Sequence, residues 1–410
     1  MLKLKSFRTA MLCATTALVM GFATYSQAEV IWPKVLIHLH GSGHAYLVDP
    51  ATDKVVADLA VGKGGTLGST TPDGTKVYVG AAAMGEDTVT VIDLQTRTIA
   101  ATIKTGSRPK HPQVSPDGKL VAVNHWGLDN GKLRLSFIDT ASDKVVKAIA
   151  LNVANANPKD VTSMHSAWSF DSRWVFSVDR VDNQLVVIDT SSWAVSEINM
   201  PSTPHYAVPS PDGKEVWVVL EGVDHNNPPM VIAYAVGKTV TEITRMVMPL
   251  VGETALQGHH GNFTQDGKHF MMLNRGGGKG KSGREVAIFD TASKKLVKRL
   301  TTASSGIGHA YNSPDGKHTV ITNYTNNVIS IVDTKTFTVV KDLTIGKGRM
   351  GHIAFTQDGH YGYVSNNQDG ILYKIDMRKM ELVGPVHTNG TKGAGQVLNV
   401  WTSVFEELPR

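Results

Sequence analysis

The sequence holds a single cysteine, Cys13, among 410 residues. Beyond it there is no partner for a disulfide, no thiolate nucleophile, no Fe–S cluster ligand, no covalent attachment point for c-type haem and no cysteine for copper. Any metal held by the rest of the chain must be held by His, carboxylate or other oxygen ligands. Long apolar runs are scarce too. After Ala28 none approaches the ~20 residues that span a bilayer, so no membrane span is expected. Helical periodicity is almost absent. The charge is a modest +5, with no basic tract of the kind that binds nucleic acid, and no nucleic-acid partner is expected. Mild basicity suits a small anionic ligand.

The beginning of the chain is of a different character. MLKLKSFR is basic, an apolar run follows from Thr9 to Ala23, and Ser26-Gln27-Ala28 is a small-x-small cleavage site. This reads as a secretory signal peptide over residues 1–28, which predicts a bacterial-type periplasmic or extracellular protein. Residues 29–410 are expected to form a single domain.

That domain is written as a repeat. From Lys104 to Lys147 run an x-Pro loop, then HPQVSPDG, KLVAVNH, KLRLSFIDT and KVVKAI, short segments with strand-like apolar alternation separated by Gly/Asp turns. The order recurs at HSAWSFDSRWVFSVD, HYAVPSPDGKEVWVVLEG, HHGNFTQDGKHFMMLNR, HAYNSPDGKHTVITN and HIAFTQDGHYGYVSNN, with a degenerate first copy at TLGSTTPDGTKVYVG. Four strands every 40 to 55 residues is the spacing of propeller blades. Three strands (KVLIHLH, HAYLVDP, KVVADLAV) precede seven full repeats, and a lone GQVLNVWTS follows them. Joining the last strand to the first three leaves no open edge. The expectation is therefore an all-β, eight-bladed β-propeller closed by N- and C-terminal strands, with seven blades as the alternative. The asparagine-rich turns and strands such as VISIVD resemble the YVTN family of bacterial β-propellers, which implies a fold rather than a function.

The innermost strand of each repeat opens on the same residue type. His111, His165, His205, His260, His309 and His352 occupy six of seven equivalent positions, although only 16 histidines serve the whole chain. Neutral imidazoles converging at a channel mouth are what a borderline transition metal needs, and rigid strands preorganise them. The alternative is a set of channel histidines bonded to water and backbone. Loops on the same face contribute His40, His44, Asn124, His125, Asp179, Arg180, Glu221, Asn274, Arg275, Asn323, Tyr324, Asn366 and Asn367. Of these, Arg180, Glu221 and Tyr324 are the candidates for proton donor or anion clamp. The loop RGGGKGKSGRE, from Arg275 to Glu285, departs from a phosphate loop because Arg275 replaces its first glycine and a strand follows it. It reads as a basic flap, with Arg275 meeting carboxylates of a cofactor or an anionic substrate. Arg108, Lys110, Lys347 and Arg349 add positive charge near the mouth. The aspartates of the S-P-D-G and T-Q-D-G turns (Asp117, Asp212, Asp266, Asp315, Asp358) are expected to cap turns.

HPQVSPDGKLVAVNHWG, HHGNFTQDGKHFMM and the closing LNVWTS resemble the d1-haem propeller of cytochrome cd1 nitrite reductases and their relatives in d1-haem biosynthesis. That resemblance implies an axial iron ligand at His111 and a distal pair at His260 and His309. The sequence departs from the family in lacking a c-haem domain and in having His165, His205 and His352 as well. The histidine-rich ring is also similar to that of multicopper propellers such as nitrous oxide reductase and thiocyanate dehydrogenase. Three readings follow. The first is a periplasmic redox protein binding copper or d1-type haem, acting on a small inorganic anion with an external electron carrier. The second is a periplasmic carrier, resembling zinc-metallochaperone propellers, that hands zinc, copper or d1 haem to a transporter or partner, with His38, His40 and His44 as a loading site. The third is an interaction scaffold.

Overall fold

The computed structural model describes residues 35–154, 163–250, 256–276, 283–386 and 392–400; the expected signal peptide lies outside the described residues. Within the unit from Trp32 onward, every described element is a strand, and the strands form eight four-stranded sheets. The inner strands are β4 (Leu67–Thr70), β8 (Pro109–Val114), β12 (Ser163–Trp168), β16 (Pro204–Pro209), β20 (Gly258–Phe263), β24 (Ile307–Asn312), β28 (Met350–Phe355) and β32 (Ala394–Leu398). Each touches the next, and β32 touches β4. The ring is closed and has eight blades.

Blade eight is composite. β32 pairs antiparallel with β1 (Leu36–His40), which continues into β2 (His44–Asp49) and β3 (Lys54–Ala60). This is the expected closure of the N-terminal strands onto the C-terminal one, and it removes the sheet edges that an open ring would expose.

Burial follows the sequence pattern from the axis outward. The second strands, such as LVAVNH and HFMMLN, are almost wholly buried, whereas the outermost β3 and β11 (Lys144–Asn152) alternate between exposed and half-buried positions. A strand with blades on both faces needs a continuous apolar run, and an edge strand needs alternation. The core lies between blades. Phe137 of blade two stacks edge-on against Trp168 of blade three, whose indole N–H donates to the Gln113 carbonyl at 2.8 Å. The turn aspartates behave as the repeat predicts: Asp117 accepts the Ser115 hydroxyl and the Lys119 N–H, and Asp212, Asp266, Asp315 and Asp358 do the same in their blades.

Gln396 fastens the closing strand to blade one. Its side-chain oxygen accepts the buried N–H of Gly68 at 2.8 Å, and its own N–H donates to the Thr66 carbonyl at 2.9 Å. Replacing Gln396 with Leu strands the Gly68 N–H away from water, at a cost of about 1–3 kcal/mol. We expect a lower denaturant midpoint with an unchanged slope; an unchanged midpoint would show that the closure does not depend on this bond.

Candidate functional site

The repeat predicts histidine as the first residue of each inner strand. The structure sets the six histidines one or two places inside their strands, and a register shift accompanies every one of them. Between Pro109 and His111, Ser163 and Ser166, Pro204 and Tyr206, Gly258 and Gly261, Ile307 and Ala310, and Met350 and Ile353, the inner strand carries one residue more than its partner. In β4, which has no histidine, pairing with β5 (Lys76–Gly80) runs in continuous register, whereas β32, also without histidine, carries the same one-residue excess over β1. A bulge re-aims the side chains at its position. Here it turns a strand whose neighbouring residues would point to opposite faces into one that presents imidazole to the axis.

The rings converge on a cavity of about 400 Å³. His165, His259, His260, His309 and His352 line it, together with Arg275, Arg349, Lys110, Trp126, Tyr324 and Asn367. Its remaining wall is made of Thr66, Leu67, Gly351, Ala394 and Gly395. The imidazoles are in mutual contact. His260 stacks on His309 with ring centres 3.6 Å apart, His309 lies 4.7 Å from His352, and His165 lies 4.8 Å from His260 although their blades are not adjacent. His111 sits behind His165, with its ring nitrogens 3.0 Å from that of His165 and 2.6 Å from the Gln113 amide, and is not among the residues lining the cavity.

His259 is absent from the six predicted positions, yet it lines the cavity beside His260. The signal was the doublet HHGNF: at a bulge, two consecutive side chains can share a face. Tyr311 also escaped the sequence reading. Its hydroxyl bridges His309 Nδ1 at 3.1 Å and His352 Nδ1 at 2.5 Å. Tyr324 reaches the cavity over Gly308, where a Cβ would lie 2.2 Å from the tyrosine ring.

Four of the loop candidates make contact with the ring. Arg180 Nη1 donates to Glu221 Oε1 at 2.8 Å, and the same oxygen lies 2.9 Å from His205 Nδ1. Burial alone would raise the Glu221 carboxyl, but the bond from His205 and the Arg180 guanidinium outweigh it and hold the group down to about 2. His205 Nδ1 also lies 2.9 Å from Arg180 Nη1, so the pair presents an acceptor and a donor to the same ring nitrogen; in the tautomer that donates to the ionised Glu221, Nε2 keeps its lone pair. Arg275 Nη1 donates to His259 Nε2 at 2.7 Å, while His259 Nδ1 donates to the Gly308 carbonyl at 3.0 Å. The Arg275 guanidinium also lies over the Tyr324 ring, and the Tyr324 hydroxyl is 3.4 Å from His352 Nε2.

Other loop candidates turn back on the scaffold. Asp179 and Asn323 cap their own turns, and His125 bonds the Ser107 carbonyl and the Ser136 hydroxyl. The ring contacts of His38 and His40 are with each other and with Tyr46, and His44 pairs with Asp58 on the outside. The centre of the basic flap, residues 277–282, lies outside the described residues.

Two buried ring nitrogens in this cluster, His205 Nε2 and His260 Nδ1, have no hydrogen-bond partner. Orphaned donors or acceptors of this kind carry a desolvation cost that a bound group can offset. Burial keeps the rings neutral. It lowers His205 to about 4 despite Glu221, lowers His352 to about 3, and holds His165, His259, His260 and His309 well below the ordinary histidine value, with neighbouring imidazoles adding to the effect. Desolvation likewise brings the buried Lys110, beside Arg108, down to about 7. Neutral imidazoles with open lone pairs, next to a cationic rim, suit a metal centre carried by an anionic ligand.

A family model for the cytochrome D1 heme domain matches residues 160–322, from blade three into blade six. His165, His205, His259, His260 and His309 all fall within that stretch. The fold is similar to that of dihydro-heme d1 dehydrogenase NirN in complex with DHE, with a TM-score of 0.70 at 18% identity over 91% of this chain and 76% of that one. It is also similar to Kuenenia stuttgartiensis hydrazine synthase (TM-score 0.51, 19% identity, 87% of this chain and 99% of that one). A third likeness is to the Pseudomonas aeruginosa periplasmic gluconolactonase PpgL (TM-score 0.55, 14% identity, 88% and 98%). A search of curated proteins finds no match to the sequence. At these identities the structural likenesses establish the propeller fold, which hosts unlike functions. The chain therefore resembles the d1-haem propellers in fold over 91% of its length and in sequence across residues 160–322.

The buried neutral histidines make folding pH-dependent. Their folded values lie below the unfolded value of about 6.5, so the unfolded chain takes up protons first as the solution is acidified. Their contribution is fully present above pH 6.5 and is lost as pH falls toward 4 for His205 and 3 for His352. Each such group steepens the loss by up to about 1.4 kcal/mol per pH unit. Denaturant midpoints measured from pH 8 to pH 4 should decline gently down to pH 7, where the buried Lys110 regains its proton, and fall steeply below 6.5 as the histidines of the unfolded chain take up theirs. A flat profile to pH 4.5 would contradict neutral burial.

Proposed function

We propose that this propeller binds a d1-type haem in the cavity at its axis, and that the loaded protein carries out redox chemistry on a small inorganic anion in the periplasm. The observation that carries this reading is an overlap: the segment matched by the cytochrome D1 heme domain model supplies His165, His259, His260, Arg275 and His309 to the cavity wall. Copper and zinc, the other metals suited to such imidazoles, have no comparable support.

The chain's own residues divide the work. His165, His260, His309 and His352 are the imidazoles that would hold the iron and face its open side, and neutral burial keeps their lone pairs available. Arg275, Arg349 and Lys110 would meet the carboxylates of the macrocycle and raise the local concentration of an anion. Trp126 and Tyr324 offer ring faces to a planar ligand, while Lys110 Nζ lies 4.0 Å from the Trp126 ring. When bound, a d1-type haem supplies a redox-active iron. Protons reach the site through groups already in contact: the Tyr324 hydroxyl beside His352 Nε2, and Tyr311 bridging His309 and His352. The Arg180–Glu221 pair holds the His205 ring in place through Nδ1 and leaves Nε2 without a partner.

The redox reading takes its electrons from an external carrier. A second reading, a d1-haem carrier, needs none and delivers the group to a partner.

The test is a titration of haem-free protein with d1-type haem, followed by visible absorbance. We expect a saturable spectral change at one haem per chain. Exchanging both Arg275 and Arg349 for Gln should weaken it at least about tenfold, since each charge-assisted bond is worth roughly 1.5–3 kcal/mol. Equal binding by wild type and double variant, or a wild-type spectrum indistinguishable from free haem, would refute the assignment. Reduced, loaded protein that consumes nitrite supports the redox role; transfer of the haem to a haem-free acceptor without turnover supports the carrier.

A further inference from the structure

His205, His259 and His260 each place one ring nitrogen within 4.8 Å of the other two, all three residues being buried. Their rings converge from two blades: His205 stands on β16, and the doublet on β20. The centroids are 4.2 Å apart for His205 and His259, 4.5 Å for His259 and His260, and 5.6 Å for His205 and His260. We propose that these three histidines form a site for a divalent first-row transition-metal ion of the zinc class, pinning blade four to blade five beneath the cavity.

The ligand chemistry is borderline, three neutral imidazoles with no thiolate, which suits Zn²⁺, Co²⁺, Ni²⁺ and Cu²⁺ rather than Ca²⁺ or Mg²⁺. The surroundings supply what such a site requires. A metal-bound histidine ordinarily donates its second ring N–H to a carboxylate or a backbone carbonyl. His205 has the first arrangement, with Nδ1 on Glu221 at 2.9 Å, and His259 the second, with Nδ1 on the Gly308 carbonyl at 3.0 Å. The His259 bond leaves Nε2 as the lone pair, and the His205 bond does so in the tautomer that donates to Glu221; His205 Nδ1 also lies 2.9 Å from Arg180 Nη1. His205 Nε2 and His260 Nδ1 are buried and unpartnered. Tetrahedral coordination at about 2.0–2.1 Å sets ligand nitrogens about 3.4 Å apart, so the rings must rotate inward on binding. The adjoining cavity, lined by His259 and His260, provides the path of entry and the fourth position for water or a small anion.

Arg275 is the competitor. Its guanidinium occupies the His259 lone pair at 2.7 Å and would lie against the ion as a like charge. The ion can enter only if Arg275 swings away, and an anionic ligand at the cavity rim would draw it in that direction. Metal occupancy and anion binding are thereby coupled through one side chain. The site belongs to the haem-free protein and does not depend on the haem reading, although an iron held by His260 would exclude it.

The experiment uses purified haem-free full-length protein titrated with Co²⁺, read by its visible ligand-field bands, and with Zn²⁺, read by calorimetry. We expect one ion per chain. Glu221→Gln should weaken binding about 10- to 100-fold through His205. Arg275→Gln should tighten it about tenfold or more by removing the like charge. His205→Ala and His259→Gln should abolish the ligand-field bands, while His225→Ala, on an exposed loop, should change nothing. Should either histidine variant fail to fold, the opposite shifts of the Glu221 and Arg275 variants decide the question. No stoichiometric binding by wild type and Arg275→Gln alike overturns the proposal, as does binding indifferent to His205 and His259 but lost in His352→Ala or His225→Ala.

Discussion

In a regular strand, neighbouring side chains leave on opposite faces, so an inner blade strand sends alternate residues toward the two adjoining blades. Eight such strands would surround an axis with backbone and whatever side chains happened to lean inward. The extra residue in the inner strand at each histidine breaks this alternation at one chosen level. Imidazole is thereby presented to the axis from six consecutive blades, and at Gly258–Gly261 the two histidines of one bulge share the cavity. The site depends on this local irregularity more than on any single contact, because the same residues on regular strands would be lost into the blade interfaces.

Collecting imidazoles in one dry volume has an electrostatic consequence that shapes everything around it. A protonated ring there would be desolvated and would face other rings, so the cluster stays neutral and each nitrogen must find a partner or carry the cost of lacking one. The protein meets this demand with Tyr311 between His309 and His352, with Gln113 on His111, and with the Arg180–Glu221 pair on His205. Two nitrogens, His205 Nε2 and His260 Nδ1, are left over. Positive charge is kept at the edge of the cluster, on Arg275, Lys110 and Arg349, where it can meet an anion. Among the described residues, Glu221 is the carboxylate in contact with these rings, and Arg180 neutralises it.

What the sequence made legible was whatever repeats. Eight blades followed from three strands before seven repeats and one after them, and the histidine ring followed from its fixed place before each turn. The turn aspartates were legible for the same reason, since a capping carboxylate serves every blade alike. The bulges were not, because an added residue leaves no mark in a period that already varies between blades. His259 went unread with them: beside His260 it looked like a residue on the opposite face. Tyr311 sits two places after His309 and belongs to one blade only. Arg180, Glu221, Arg275 and Tyr324 stood out among a dozen loop residues as able to reach inward, but their partners depend on the inter-blade distances, to which a repeat is blind. Asp179 and Asn323, drawn from the same loops, spend their side chains on their own turns.

The cavity is lopsided, and the two inner strands without histidine, β4 and β32, explain its shape. The wall formed by Thr66, Leu67, Ala394 and Gly395 belongs to blades one and eight or the loops entering them, while the imidazoles come from blades three, five, six and seven. Gly395 cannot be otherwise, since a Cβ there would fall 2.6 Å from the Thr66 carbonyl oxygen at the seam where β32 meets β4. The seam that closes the ring therefore also empties one side of it. A complete circle of histidines would fill the axis with rings and leave room only for an ion. Interrupting the circle at the closure leaves an imidazole wall opposite a bare one, with cations at the rim and aromatic faces beside it. That geometry admits a ligand larger than an ion while keeping the lone pairs on one side of it. The degenerate first repeat, which looks in the sequence like decay of the pattern, is in this sense part of the site.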